Sequence, residues 1–277
     1  MATQDHLLFG VESVADLRSS SALATIGREL DRDPNLRMER FGTNDPPRTP
    51  IESAEAALRE WRPAAKVERG HWWFFLSRKG GPRGRATIQI TTLDPTKQLY
   101  AHSVYPSYLA SWFDTPDRVD EIADLLRRLA EATRAFYGRA ALGAIYDQHN
   151  LRLDHLPPPN YQCEIPDVYW LNYFGPGYVE FFGARLERIG VRRTRTKTGG
   201  LLVWATETPF VLKRVASIAE YAFKQPFYDA LGRDTFRSES QQRGEPGEHV
   251  PTFDVHHRHA SVDLRSVEPR SERRSSS

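Results

Sequence analysis

The run Trp72-Trp73-Phe74-Phe75-Leu76-Ser77-Arg78-Lys79-Gly80-Gly81-Pro82-Arg83-Gly84-Arg85-Ala86-Thr87-Ile88-Gln89-Ile90-Thr91 reads as one β-hairpin. Four aromatic residues followed by leucine favour a pleated, half-buried strand over a helix. Lys79-Gly80-Gly81-Pro82-Arg83-Gly84 supplies the turn, since glycine and proline punctuate regular structure. The return strand alternates, which puts Ile88 and Ile90 on one face. A chain with this hairpin contains antiparallel sheet, and its neighbours decide what covers that sheet.

Working outward, helical and extended patterns alternate. Upstream, 7–11 reads as a strand. Leu23, Ile26 and Leu30 recur at spacings of three and four, so 21–30 is a helix that Pro34 ends. Residues 36–41 alternate apolar and charged as a half-buried strand, 44–50 is a turn-rich loop, and 51–61 is a short helix. Downstream, a loop carrying Tyr105, Pro106, Tyr108, Trp112 and Phe113 precedes a long helix over 115–136. Thr115 is placed to cap that helix, Pro116 suits its first position, and Gly138 is expected to end it. Strands are expected over 140–146 and 168–174. Next come a short helix from Pro176 carrying Val179, Phe182 and Leu186, a hairpin pairing 191–197 with 201–206, and a last helix over 209–221. The fold class is therefore α+β, a mixed or antiparallel sheet packed with helices. The order helix, strand, helix, hairpin occurs over 20–93 and again over 116–207, which admits an internal duplication.

At about 150 residues per domain, 277 residues make one large body or two small ones. The stretch from Arg233 to Ser277 is rich in Arg, Ser, Glu and Gly and poor in aliphatic residues. It cannot offset an ordering cost of roughly 1–2 kcal/mol per residue. The expected division is a body over 1–232, with halves near 1–100 and 101–232, and a disordered tail over 233–277. Lys and Arg number 38 against 36 Asp and Glu, a net charge of +2, so no global field draws the chain to nucleic acid or an anionic membrane. The single cysteine, Cys163, excludes an internal disulfide. No apolar run is long enough to span a membrane and no leader peptide is evident, so the expected location is the cytoplasm.

No phosphate loop, dinucleotide-binding glycine pattern, nucleophile elbow or zinc-protease motif is present. Asp147, His149, Asp154 and His155 could bind a divalent cation or share a proton, which would make a metal-dependent hydrolase the alternative function. Loop hydrogen bonds and helix capping are the plainer explanation of those residues. His256-His257-Arg258-His259 lies in the expected tail. Alternation puts Arg193, Arg195 and Lys197 on one face of the second hairpin, where they could shield a sheet edge, meet an acidic protein or hold phosphates. Asp114, Asp117, Asp120 and Glu121 cluster at the start of the long helix beside Tyr108, Trp112 and Phe113. They either answer the helix dipole or form a partner surface with aromatic anchors. No catalytic residue, metal ligand or cofactor is assigned.

The segment Ile165-Pro166-Asp167-Val168-Tyr169-Trp170-Leu171-Asn172-Tyr173-Phe174-Gly175-Pro176-Gly177-Tyr178-Val179 resembles the P-x-V-Y-W-x-N-x-F-G stretch of the immunity protein 52 family and related type VI immunity proteins. Tyr169, Trp170, Asn172, Phe174 and Gly175 match that motif, Gly183 and Arg185 fit the same block, and the good part of the match covers about 115–207. The resemblance implies a cytoplasmic antidote that binds and neutralises a cognate bacterial toxin, often a nuclease-like one, without catalysis. A nuclease presents a basic groove, so its antidote would offer carboxylates. The near-neutral charge and the absence of a long apolar run leave no membrane partner expected and do not favour nucleic acid.

Overall fold

A computed structural model of the chain describes residues 5–61, 71–80, 83–91, 101–143, 161, 163–210, 222–237 and 247–251. Among them run the strands β1 (His6–Ser13), β2 (Arg40–Gly42), β3 (Thr49–Pro50), β4 (His71–Arg78), β5 (Gly84–Thr91), β6 (His102–Leu109), β7 (Tyr137–Leu142), β8 (Leu171–Phe174), β9 (Arg192–Arg195) and β10 (Leu201–Trp204). The α-helices are α1 (Ser20–Asp31), α2 (Ala54–Glu60), α3 (Pro116–Thr133), α4 (Pro176–Phe182) and α5 (Gln225–Leu231). The fold is α+β. All ten strands join one antiparallel sheet in the order β3-β2-β4-β5-β6-β1-β7-β8-β10-β9.

β1 sits in the middle of that sheet, between β6 and β7. Strand alternation sorts its side chains to two faces. Leu7, Phe9 and Val11 share the first face with Phe74, Ile88, Val104 and Tyr108, and α1, α2 and α3 cover it with Leu23, Ile26, Leu58, Leu125 and Leu129. The second face carries a separate core at its β7–β10 end. There Phe174, Leu201 and Val203 pack against Tyr178 and Phe182 of α4 and Phe227 and Leu231 of α5.

Local chemistry sets the helix starts. Ser19 Oγ accepts the Ala22 N–H at 3.1 Å, and Ser53 Oγ accepts that of Ala56 at 3.0 Å, so each serine caps its helix. Asp31, at the end of α1, accepts the N–H groups of Ala54 (3.0 Å) and Glu55 (2.8 Å), tying the two helices together. Gly27 permits their close crossing, because a Cβ there would stand 2.6 Å from the Ala54 backbone.

Several sequence expectations change. The segment 36–41 is a strand only from Arg40. Leu36 and Met38 are buried, but Arg78 Nη1 takes the carbonyls of Pro34 (3.1 Å) and Arg37 (2.8 Å) where a ladder would stand. The expected loop around Tyr105 and Tyr108 is β6. Pro106 disguises it, since proline cannot donate to a ladder. The β1–β6 pairing skips Phe9 and Gly10, the positions opposite Pro106 and Tyr105. The long helix ends at Arg134, not Gly138; Gly138 lies in β7, pressed against Val11 and Tyr173. In the first presumed repeat β2 pairs with the first strand of its hairpin, whereas β8 pairs with the second of its own, so the pairing does not repeat. Arg233–Thr235 forms a 3₁₀ turn, and Phe236 and Val250 are buried in the second core, so residues read as tail belong to the body. The expected helix over 211–221 lies outside the described residues.

Candidate functional site

Glu12 is 2% exposed on the second face of β1, and its oxygens gather four donors. Ser103 Oγ (2.7 Å) bonds Oε2, while Tyr161 OH (2.9 Å), Arg139 Nη1 (3.3 Å) and Tyr105 OH bond Oε1. The Arg139 guanidinium also reaches the hydroxyls of Tyr161 (3.2 Å) and Tyr105 (3.3 Å) and lies 5.7 Å from the centre of the Tyr169 ring. Burial, with the Glu12 carboxylate beside it, pushes the Tyr161 phenol up, which keeps it a proton donor. The group spans β1, β6, β7 and residue 161, and four of its hydrogen bonds converge on Glu12. Such a knot fixes strands together. Sequence reasoning missed it, because the partners stand 91 to 149 positions from Glu12. Its one local signal is a charge near the end of an otherwise apolar strand. Beside it, at the skipped pairing, a cavity of about 280 Å³ is lined by Leu8, Gly10, Tyr105, Ser107, Arg139 and Ala141, among others.

The acidic corner is rearranged relative to expectation. Tyr108 and Phe113, read as partner anchors, are fully buried in the first core. The Tyr108 hydroxyl donates to Leu36 O (2.7 Å), and the two rings meet edge-on at 6.1 Å. β6 turns Tyr108 inward because Leu7 and Gly84 are its cross-strand neighbours. Trp112 is half-buried beneath Arg118, whose guanidinium lies 3.9 Å from the ring centre and donates to Trp112 O (3.0 Å). Asp120 pairs with Arg192 of β9 at 2.6 Å. Glu121 is half-buried with Oε2 enclosed and unbonded, and burial, seconded by Asp33, raises its carboxyl above the usual range. Asp114 and Asp117 stay exposed, with no ion pair among the described residues.

The motif residues are structural. Tyr169, Trp170, Asn172, Phe174 and Gly175 are all buried. Asn172 Oδ1 accepts the Tyr169 N–H (3.0 Å) while its Nδ2 donates to Tyr169 O (2.8 Å), so one amide closes the turn entering β8. Trp170 Nε1 donates to Thr206 O (3.1 Å). Gly175 donates to Phe136 O (2.8 Å), and a Cβ there would lie 2.6 Å from Ala135 O, so only glycine fits. Asp167 binds Lys224 at the start of α5, which ties the motif to the chain's far end. Cys163 is a buried free thiol. Asp147, His149, Asp154, His155 and the 256–259 histidines lie outside the described residues, among which no group of three or more His, Cys, Asp or Glu is placed to hold a metal. No described helix is long and apolar enough to cross a membrane.

No family model matches the chain, and no curated protein matches it. Among solved structures the chain is similar to the Pseudomonas aeruginosa T6SS protein PA0821, at 14% identity and a TM-score of 0.53, over 86% of this chain and 78% of that one. The two chains share a fold. At that identity the likeness speaks for architecture and not for residues, and the fold class read from the hairpin and its flanking helices stands on this structure itself.

Proposed function

We propose that this chain is a non-catalytic immunity protein that binds a toxin of a type VI secretion system stoichiometrically and neutralises it in the cytoplasm. The observation that carries the reading is a conjunction. The segment 165–179, which resembles type VI immunity proteins, forms the brace around β8 in a fold shared with a T6SS protein. Asp114 and Asp117 supply exposed carboxylates at the start of α3, suited to the basic groove of a nuclease-like toxin, where charge chiefly speeds capture.

The test is co-expression with the products of adjacent reading frames. Rescue from toxicity together with a stable one-to-one complex is the expected result. Asp114→Lys with Asp117→Lys should slow association about tenfold at low salt and leave the urea midpoint unchanged. A toxic neighbour that is neither rescued nor bound would overturn the reading, and an unchanged association rate would remove this corner from the interface.

A further inference from the structure

The two edges of the sheet are closed by different means. At one end β3 is two residues long and finishes in Pro50, which has no N–H to offer. At the other end all four residues of β9, Arg192–Arg195, are exposed. Thr196 N–H bonds Gly200 O at 2.9 Å, so alternation makes Arg192 and Thr194 the residues whose backbone groups bond β10. The N–H and C=O groups of Arg193 and Arg195 therefore face away from β10, toward the open edge. Proline closes an edge to every strand, whereas charge closes it only to strands of like charge.

That charge is one-sided. From Arg188 to Lys197 the chain carries five cations and no carboxylate. Glu187 reaches Arg195 and Asp120 reaches Arg192, both pairs at the surface, where ion pairs contribute little. Arg193 and Arg195 project to the same face as Val203 and Leu201. A second copy of this chain pairing edge to edge would set these arginines against one another, which is unfavourable. An incoming strand with carboxylates two positions apart would meet both.

We propose that β9 is a docking edge that takes an extended acidic segment of a protein partner as an eleventh strand, with Asp or Glu at i and i+2 opposite Arg193 and Arg195. The partner's identity as a toxin rests on the immunity reading; the edge does not. The backbone supplies affinity and the paired charges supply register.

The test uses the full chain and an end-capped peptide of alternating Glu and Val, with alternating Lys and Val as its counterpart and an oligothymidylate as the nucleic-acid probe. Hydrogen exchange read by NMR should show the amides of Arg193 and Arg195 slowed about tenfold by the Glu peptide and not by the Lys peptide. Arg195→Pro removes one outward donor without touching the β10 ladder and should abolish that protection. Arg193→Glu with Arg195→Glu should exchange the preference to the Lys peptide, a result that unfolding cannot produce. No protection, equal protection by both peptides, or binding of the oligonucleotide alone overturns the proposal. The two readings fail separately. Rescue from a toxin whose complex leaves these amides unprotected removes the edge and keeps the antidote. Capture of the Glu peptide with the expected charge exchange, but no rescue, does the reverse.

Discussion

Glu12 and Arg139 stand on adjacent strands, 2% and 8% exposed, and form an ion pair. Glu12→Gln removes the anion and keeps the shape, depriving the buried guanidinium of this counter-ion. Breaking such a pair from one side costs about 3–5 kcal/mol, so urea unfolding should show a loss of that size. Tyr161→Phe removes one neutral donor and should cost only about 1 kcal/mol. Equal, small losses in both variants would refute the importance of the charge pair. Little at this scale was legible from the sequence. A lone Glu in an apolar strand and a lone Arg far downstream carry no spacing signal. The aromatic residues of the 102–113 region were legible as a cluster but not as to direction, because the strand that turns Tyr108 inward is interrupted by Pro106.

Elements were more legible, because their signals are local. The 72–91 hairpin, the 191–206 hairpin, α1, α2 and the body of α3 follow from periodicity and turn residues within a dozen positions. The end of α3 does not. Arg134 adopts φ 50°, a left-handed conformation, and Ala135 N–H reaches back to Ala130 O (2.8 Å) while Arg134 N–H bonds Glu131 O (3.3 Å). This is a Schellman cap with arginine where glycine is usual. The small, buried Ala135 and Ala130 hold it closed. Nothing near Arg134 in the sequence announces a stop, and Gly138 drew attention that tertiary packing explains instead. Because an L-residue in this conformation costs about 1 kcal/mol, Arg134→Gly should raise stability by about that amount, read as a higher urea midpoint with an unchanged slope. A lower midpoint would show that the arginine side chain contributes more than its backbone costs.

For the molecule as a whole, the second core depends on the far end of the chain. Ile165 N–H bonds Thr235 O (2.7 Å) and Arg237 N–H bonds Ile165 O (2.9 Å), which places Phe236 in the core with Val250. Ending the chain after Gly232, where composition put the boundary, deletes both. Loss of a buried phenylalanine alone costs about 3–5 kcal/mol, so the shortened protein should melt at a lower temperature and be cut faster by protease near 163–174. Unchanged melting would show those contacts to be dispensable. A composition window averages over single anchors such as Phe236, which is why this boundary was misplaced.

The central place of β1 has a consequence in time. β1 is made before its neighbours β6 and β7, which begin at His102 and Tyr137, and Tyr161, which bonds Glu12, follows later still. At about 5–20 residues per second, the 149 positions between Glu12 and Tyr161 take about 7–30 s to synthesise. Both neighbouring strands are complete before then, but the hydrogen-bond network around Glu12 closes only once Tyr161 is made. A message truncated in its second half would yield only an unfinished sheet.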